Sequence, residues 1–296
     1  MLTAIAKSVL RRLPAYPAAD YLPPEQLTLA SGLRLAAESY EDERQGGLLR
    51  FFAGKVNLEC PMALDLGSGF GGRTVEFQRA TGGHVVGLEI SQHAALPSLV
   101  FARQMQNADV SFAVGVGEAL PFADHTFDLI FSYDVMEHVA DPEQTLRAAY
   151  RVLRPGGLLL LVFPPYFHPT GAHLEGYVSR VPYTHLLFPA HILRRAVDEI
   201  LAERDAGYHP QPLRPGDRLY GLNGLTIRRF ERLLRRSGFE AAWIERLPLM
   251  SKANRKYEAW RMRYYAWAFS LLPRLPLLRE IFTHRIVAAL RKPAPP

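Results

Sequence analysis

The chain has 296 residues, 48% of them apolar and 22% charged, with a formal net charge of +6. Those proportions belong to an ordinary globular protein with enough chain for a sizeable core, as one large domain or two small ones. The lone Cys60 excludes a disulfide framework and a cysteine-based metal site and makes a reducing cytoplasm the expected compartment; no run of about 18 uncharged apolar residues is present to span a membrane.

The first segment, "MLTAIAKSVLRRLPAYPAA", is interrupted by Lys7, Arg11 and Arg12. It reads as an amphipathic helix, and its Arg-bearing, acid-free character is also that of an organelle transit peptide. "MALDL", 62–66, has the pattern of a buried strand and runs into "GSGFGG", four glycines in six positions, before the helical "GGRTVEFQRA". "HVVGLEI", 84–90, is a second strand, with Ser91 at the N-cap position of a helix through about 106. "VSFAVG" and "FDLIFSY" are a third and a fourth strand. Asp141-Pro142 then opens a helix, with a cap and a proline in its first turn, and "RPGG" is expected to stop it before a fifth strand, "LLLLVF". Apolar strands alternating with helices predict a parallel sheet covered on both faces.

After Phe163 the rhythm changes. Residues 164–225 are rich in Pro, Tyr, His and Gly, with one helix at "AHILRRAVDEILAER". "LTIRRFERLLRRSGFEAAWIERL" returns to helix, glycine stop and strand, and "THRIVAALRKP" is a last strand. The expected organisation is a single domain, 1–296, with an N-terminal helical cap (1–55) and a cofactor-binding half (56–163). A substrate-side insertion follows (164–225), then a C-terminal half (226–296) carrying a basic, aromatic helical insertion at 248–283.

Gly67, Gly69 and Gly72 satisfy G-x-G-x-x-G, and Glu89 lies 22 positions after Gly67. That spacing permits an NAD-type site, and it equally permits a tight turn with no ligand. Asp65, just before the first glycine, would meet a pyrophosphate unfavourably and suits an ammonium or another cationic ligand better.

"LDLGSGFGG", "VVGLEIS" and "GEALPFADHTFDLIFSYDVMEHVADPEQTLRAAYRVLRPGGLLLLVFP" together resemble the class I S-adenosylmethionine-dependent methyltransferases. Within them the chain looks most like the small-molecule and lipid-type subfamily that includes quinone-biosynthesis methyltransferases. The resemblance is strong over 60–163 and weak over 226–247 and 284–292. It implies an α/β, Rossmann-like, doubly wound sheet of seven strands in the order 3-2-1-4-5-7-6, with strand 7 antiparallel, and S-adenosyl-L-methionine as cofactor. It also implies roles. Gly67, Ser68 and Gly69 form a flat loop under the methionine part, and Asp65 holds this loop and the cofactor's amino group. Glu89 accepts both ribose hydroxyls, Ile90 packs on the adenine face, and Tyr133 follows the strand where backbone meets the amino group. One position departs from the family pattern: an Asp-Ala pair common after the third strand is Val116-Gly117 here, so Gly117 backbone or Glu118 must satisfy the adenine edge.

Methyl transfer asks mainly for positioning and exclusion of water, and for a base only when the acceptor must lose a proton. His173 in "GAHLE" and His138 in "DVMEHVADP" are the base candidates, each with a purely structural role as the alternative. Glu137 and Asp134 lie where some quinone methyltransferases hold a divalent ion, and no metal is assigned. The substrate-side insertion follows strand five at the carboxyl edge of the sheet, where ligands bind, and carries Tyr166, His168, His173, His185 and His191. Between Pro248 and Thr283 there are seven Lys or Arg against two Glu. Tyr257, Trp260, Tyr264, Trp267 and Leu271 fall on one helical stripe flanked by Arg255, Arg261 and Arg263, a pattern of an interfacial helix or of a hairpin packed on the domain.

The sequence therefore points to an enzyme transferring a methyl group to a small or lipid-like acceptor, at oxygen. It is expected in the cytoplasm, with peripheral membrane contact through 248–283 and no nucleic-acid partner. The rivals are an NAD-dependent oxidoreductase and a non-catalytic cofactor-binding scaffold.

Overall fold

The structure is a computed structural model that describes residues 1–14, 28–59, 62–106, 109–174, 178–205, 207–210, 217–219, 221–249, 272, 275 and 278–294. Strands form at Met62–Leu66 (β1), His84–Glu89 (β2), Val110–Val114 (β3), Phe127–Tyr133 (β4), Leu153–Phe163 (β5), Glu240–Pro248 (β6) and Thr283–Arg291 (β7). They make one sheet in the order β3-β2-β1-β4-β5-β7-β6, as the family resemblance implies. The first five run parallel: Leu64 faces Val86 on one side and Ile130 on the other. Parallel strands need both faces covered, which is why β1, β4 and the end of β5 are near-continuous apolar runs.

Helices lie at Leu2–Leu10 (α1), Leu29–Arg44 (α2), Leu49–Phe52 (α3), Gly72–Thr81 (α4), Gln92–Gln104 (α5), Pro142–Val152 (α6), Thr184–Leu187 (α7), Ala190–Arg204 (α8), Ile227–Leu234 (α9) and Arg279–Phe282 (α10). At α6 the Asp141 carboxylate accepts from Glu143 N and Gln144 N, the cap expected from Asp-Pro. The helix end differs from expectation. "RPGG" does not follow α6 as a loop; it is already part of β5, with Gly156 in the left-handed region (φ +82°) and a register shift opposite Phe127 and Leu129. A bulge lets the strand start at once, so the glycines bend β5 rather than end the helix. Gly156 N donates to Lys292 O and Lys292 N to Gly157 O. The end of β7 thus meets the start of β5, the antiparallel sense. The buried Lys292 Nζ donates to Tyr150 O (2.7 Å) and Leu153 O (2.8 Å), placing a cation at the carboxyl end of α6, where the helix dipole favours one.

The chain divides into two compact units. One comprises 23–163, 231–245 and 287–296. In it, α2 lies across α4 and α5. Small residues permit this: a Cβ on Gly72 would overlap Ala36 O. A buried ion pair holds the arrangement. The Glu43 carboxylate, with no exposed side-chain surface, accepts from Leu48 N (2.7 Å), Leu49 N (2.8 Å) and Arg73 Nε (3.0 Å). The Arg73 guanidinium also covers the Tyr133 ring at 4.2 Å. Beneath α4, Asp65 of β1 accepts a hydrogen bond from Thr74 Oγ1 (2.7 Å).

The other unit comprises 1–22, 164–230 and 246–286. Here α1 packs Ala6 and Leu10 against Leu193, Ala196, Val197 and Ile200 of α8. Lys7 bridges to Glu199 (3.1 Å) and Glu203 (2.6 Å), and Arg11, just after α1, bridges to Glu203, so two of the three cations Lys7, Arg11 and Arg12 are engaged on α8. Glu280 accepts from Ile227 N and Arg228 N (2.9 Å each), a carboxylate capping the first turn of α9. Among the described residues no helix is long and apolar enough to cross a membrane. The aromatic stripe Tyr257–Leu271 lies outside the described residues.

Breaking the buried pair leaves an uncompensated charge. Glu43→Ala should cost about 3–5 kcal/mol in urea unfolding, with part recovered in Glu43→Ala/Arg73→Met. Asp65 gives a second test. Burial pushes its carboxyl from 3.8 up to about 7, against the opposing pull of the Thr74 hydrogen bond and the Arg73 charge. The folded state therefore binds this proton more tightly than the unfolded chain. The stability it contributes is complete below about pH 4 and falls as pH rises toward 7. Asp65→Asn should flatten that part of the stability–pH curve; an unchanged slope would assign it to other groups.

Candidate functional site

The carboxyl ends of β1 and β2 converge on the glycine loop. Gly67 and Ser68 both donate their N–H to Leu88 O (2.8 and 3.0 Å), and Gly69 N donates to Glu89 Oε2 (3.0 Å). Glu89 Oε1 accepts from Ser91 N (3.0 Å). One carboxylate thus ties the loop after β1 to the turn after β2, with one hydrogen bond on each oxygen. Ser91 stands at the N-cap of α5 as expected, but it makes no side-chain cap bond. Gly67 (φ +83°) sits where any Cβ would overlap the methyls of Val135. Gly69 (φ +53°) is the opposite case: nothing lies within 4 Å of where its Cβ would be. The loop is therefore packed from behind and open in front. Ser68 Oγ is buried with no hydrogen-bond partner among the described residues.

The other sequence-derived residues of this unit fall around the same edge. Ile90 is 60% exposed despite being aliphatic. Gly117 and Glu118 lie in a 3-10 turn (Gly117–Ala119) after β3. The Glu118 carboxylate accepts from Ala140 N (2.6 Å) and Asp141 N (3.1 Å), so it braces the turn into α6. Tyr133 ends β4 beneath the Arg73 guanidinium. Asp65 is 2% exposed, under the loop, with Thr74 as its partner. His138 N donates to Val135 O (2.7 Å), and the half-exposed imidazole lies 4.0 Å from the buried Glu137 carboxylate. Sequence reasoning passed over Leu88, which acts through its carbonyl, and Arg73, whose partners are remote in sequence. An arginine directly after a glycine-rich turn was the signal available for the second.

The unit containing 164–230 holds the remaining candidates. His173 occupies the left-handed region (φ +50°), with its N–H donated to Thr170 O (2.8 Å). His168 is buried. Its Nδ1 accepts from Thr170 N (3.3 Å), which forces the ring hydrogen onto Nε2, and Nε2 donates to His284 Nδ1 (2.7 Å). Burial pushes the His168 imidazole down to about 2 and that of His185, edge-on to the Tyr166 ring, down to about 4. Both are neutral rings near pH 7.

Comparison with known proteins bears on the family. A family model described as "Methyltransferase domain" matches residues 64–161. The chain is 32% identical to an uncharacterized methyltransferase of Mycolicibacterium paratuberculosis over 77% of its own length and 75% of the relative's. It is 36% identical to a ubiquinone/menaquinone biosynthesis C-methyltransferase of Cronobacter sakazakii over 49% of its length and 54% of that protein. Other curated relatives are likewise spanned over about half of their length. The structure of Haemonchus contortus phosphoethanolamine N-methyltransferase 2, solved with S-adenosyl-L-methionine, superposes with a TM-score of 0.54. At 18% identity, over 94% of this chain and 60% of that one, it speaks for the fold alone. The strand order, the glycine loop tied to Glu89 and the extent of the Mycolicibacterium match lead to one conclusion: the chain belongs to the class I S-adenosylmethionine-dependent methyltransferases.

Proposed function

We propose that the chain catalyses methyl transfer from S-adenosylmethionine to a hydroxyl of a small or lipid-like acceptor. The observation that carries the cofactor half is the loop at 67–69, packed behind by Val135, open at Gly69 and bordered by a carboxylate with one further acceptor site on each oxygen. Those features fit S-adenosylmethionine. Glu89 would take the ribose hydroxyls, the loop would lie along the methionine part, and Ser68 Oγ, buried without a partner, offers a donor or acceptor at the same place. Ile90 would face the base and Tyr133 would stand near the amino group. Asp65 acts from beneath, as support for the loop.

When bound, the cofactor supplies a methyl group already activated on a sulfonium. The chain must then orient an acceptor oxygen and remove its proton. His138 and His173 are the two imidazoles proposed for this work. Within the 164–230 unit, burial removes His168 and His185 as proton acceptors near neutral pH, which narrows the insertion's histidines to His191, His209 and the proposed His173. The left-handed backbone of His173 singles it out, since strained conformations of this kind gather at functional positions. Support for a lipid-like acceptor comes from the aromatic and basic pattern at 248–283 of the sequence.

Calorimetry should show micromolar binding of S-adenosylmethionine or its demethylated product and none of NAD. Glu89→Ala should weaken it by about 1.5–3 kcal/mol, the range for hydrogen bonds to charged groups. Tight NAD binding without S-adenosylmethionine binding would remove the assignment. For the acceptor, cell extract incubated with isotopically labelled S-adenosylmethionine and read by mass spectrometry identifies the methylated atom. With that acceptor, His173→Ala or His138→Ala should lower turnover by roughly 10²–10⁴ at unchanged cofactor affinity, and His209→Ala should not. Normal turnover in both would leave proximity alone as the source of rate.

A further inference from the structure

The segment that ends at His173 is organised around another imidazole. Residues 165–173 coil through three successive turns: His168 N donates to Pro165 O (2.9 Å), Gly171 N to His168 O (2.8 Å) and His173 N to Thr170 O (2.8 Å). The coil is tight, since a Cβ on Gly171 would fall on Tyr166 O. Tyr166 N donates to Leu225 O (2.8 Å) and Tyr183 N to Pro169 O (2.7 Å), which fix its start and its middle. At its end Ala172 and Leu174 are buried in the core that α8 builds, with the half-buried His173 between them.

Two links join His168 to His173. The Thr170 carbonyl takes the His173 amide, and His168 Nδ1 accepts from Thr170 N (3.3 Å) and Thr170 Oγ1 (3.1 Å). On its other edge Nε2 donates to His284 Nδ1 (2.7 Å), near the start of β7. Both ring nitrogens are engaged, so the ring cannot flip without losing bonds. A proton on Nδ1 would expel Thr170, and burial, with His284 and Arg285 nearby, keeps that proton off near neutral pH. A left-handed backbone outside glycine persists only where its surroundings over-determine it. This ring supplies part of that constraint.

We propose, on the reading of His173 as the base, that His168 is its positioning residue: through Thr170 it holds the His173 backbone in place and ties it to the start of β7.

The test uses the full chain, isotopically labelled S-adenosylmethionine and heat-treated cell extract as the acceptor pool, and reads the initial rate of label incorporation. Two substitutions separate the edges of the ring. Asn puts an oxygen near the place of Nδ1 and can still accept from Thr170. Gln reaches the place of Nε2 and can still donate to His284. His168→Asn should stay within about threefold of the wild type, less than the loss of one typical hydrogen bond. His168→Gln should fall by roughly 10–100-fold, the scale for misplacing a catalytic group by about 1 Å, at unchanged calorimetric affinity for S-adenosylhomocysteine. In a His173→Ala background His168→Gln should cost nothing further, because its effect passes through His173. Thr170→Val leaves the buried ring intact and removes one bond to Nδ1; it should lose at least about threefold, and again nothing in the His173→Ala background. A further loss in that background would show that His168 serves the fold alone. Equal losses in the Asn and Gln variants, or an undiminished rate in Gln, would also overturn the proposal while leaving the base in place. If the wild type incorporates no label, or His173→Ala incorporates it at the normal rate, the base reading fails and the inference with it.

Discussion

The cofactor half depends on one local constraint: the loop after β1 must turn back hard against the end of β2. Two consecutive amides share the Leu88 carbonyl, and the next but one after the first reaches the Glu89 carboxylate. Such a path needs left-handed backbone at Gly67 and Gly69, and the valine behind Gly67 leaves no room for a side chain. Everything around the loop follows from holding it there. Asp65 and Thr74 join β1 to α4, while Glu43 and Arg73 hold α2 over the same helix. The acids and the arginine are thus arranged in layers, with the buried groups serving the loop and the half-exposed Glu89 left at its rim.

This layering divides two roles that a sequence motif runs together. An acid before the glycines and an acid after the second strand look alike on paper. In the structure the first is sealed under the loop and carries a raised pKa from burial, while the second keeps acceptor capacity at the surface. The imidazoles sort the same way. A histidine held neutral by burial can donate or accept a fixed hydrogen bond, but it cannot take a proton near pH 7.

The strands and their parallel sense were legible in the sequence because apolar runs of five or six residues alternate with helices, whereas their order was implied only by the resemblance of the motifs to a known family. The Asp141-Pro142 start was legible because capping chemistry is local. The start of β5 was not: a glycine pair after a helix is equally a stop or a bulge, and only pairing with β4 and Lys292 decides between them. Glu43 was invisible for a related reason. Nothing near it in sequence shows that a carboxylate in an acidic, helical stretch will be buried against Arg73, thirty positions away. Glu118 was legible as a nearby acid, but its engagement with Ala140 and Asp141 depends on a turn more than twenty residues on.

The strand order carries a consequence for biosynthesis. β7 lies between β5 and β6, although it follows both in the chain. As the polypeptide emerges from the ribosome, β6 has no neighbour to pair with, and the outer edge of β5 stays bare until β7 is made. The five parallel strands can assemble co-translationally, whereas the last two must close together. For that interval the nascent protein carries open strand edges, the kind of surface that chaperones bind and that invites pairing between chains.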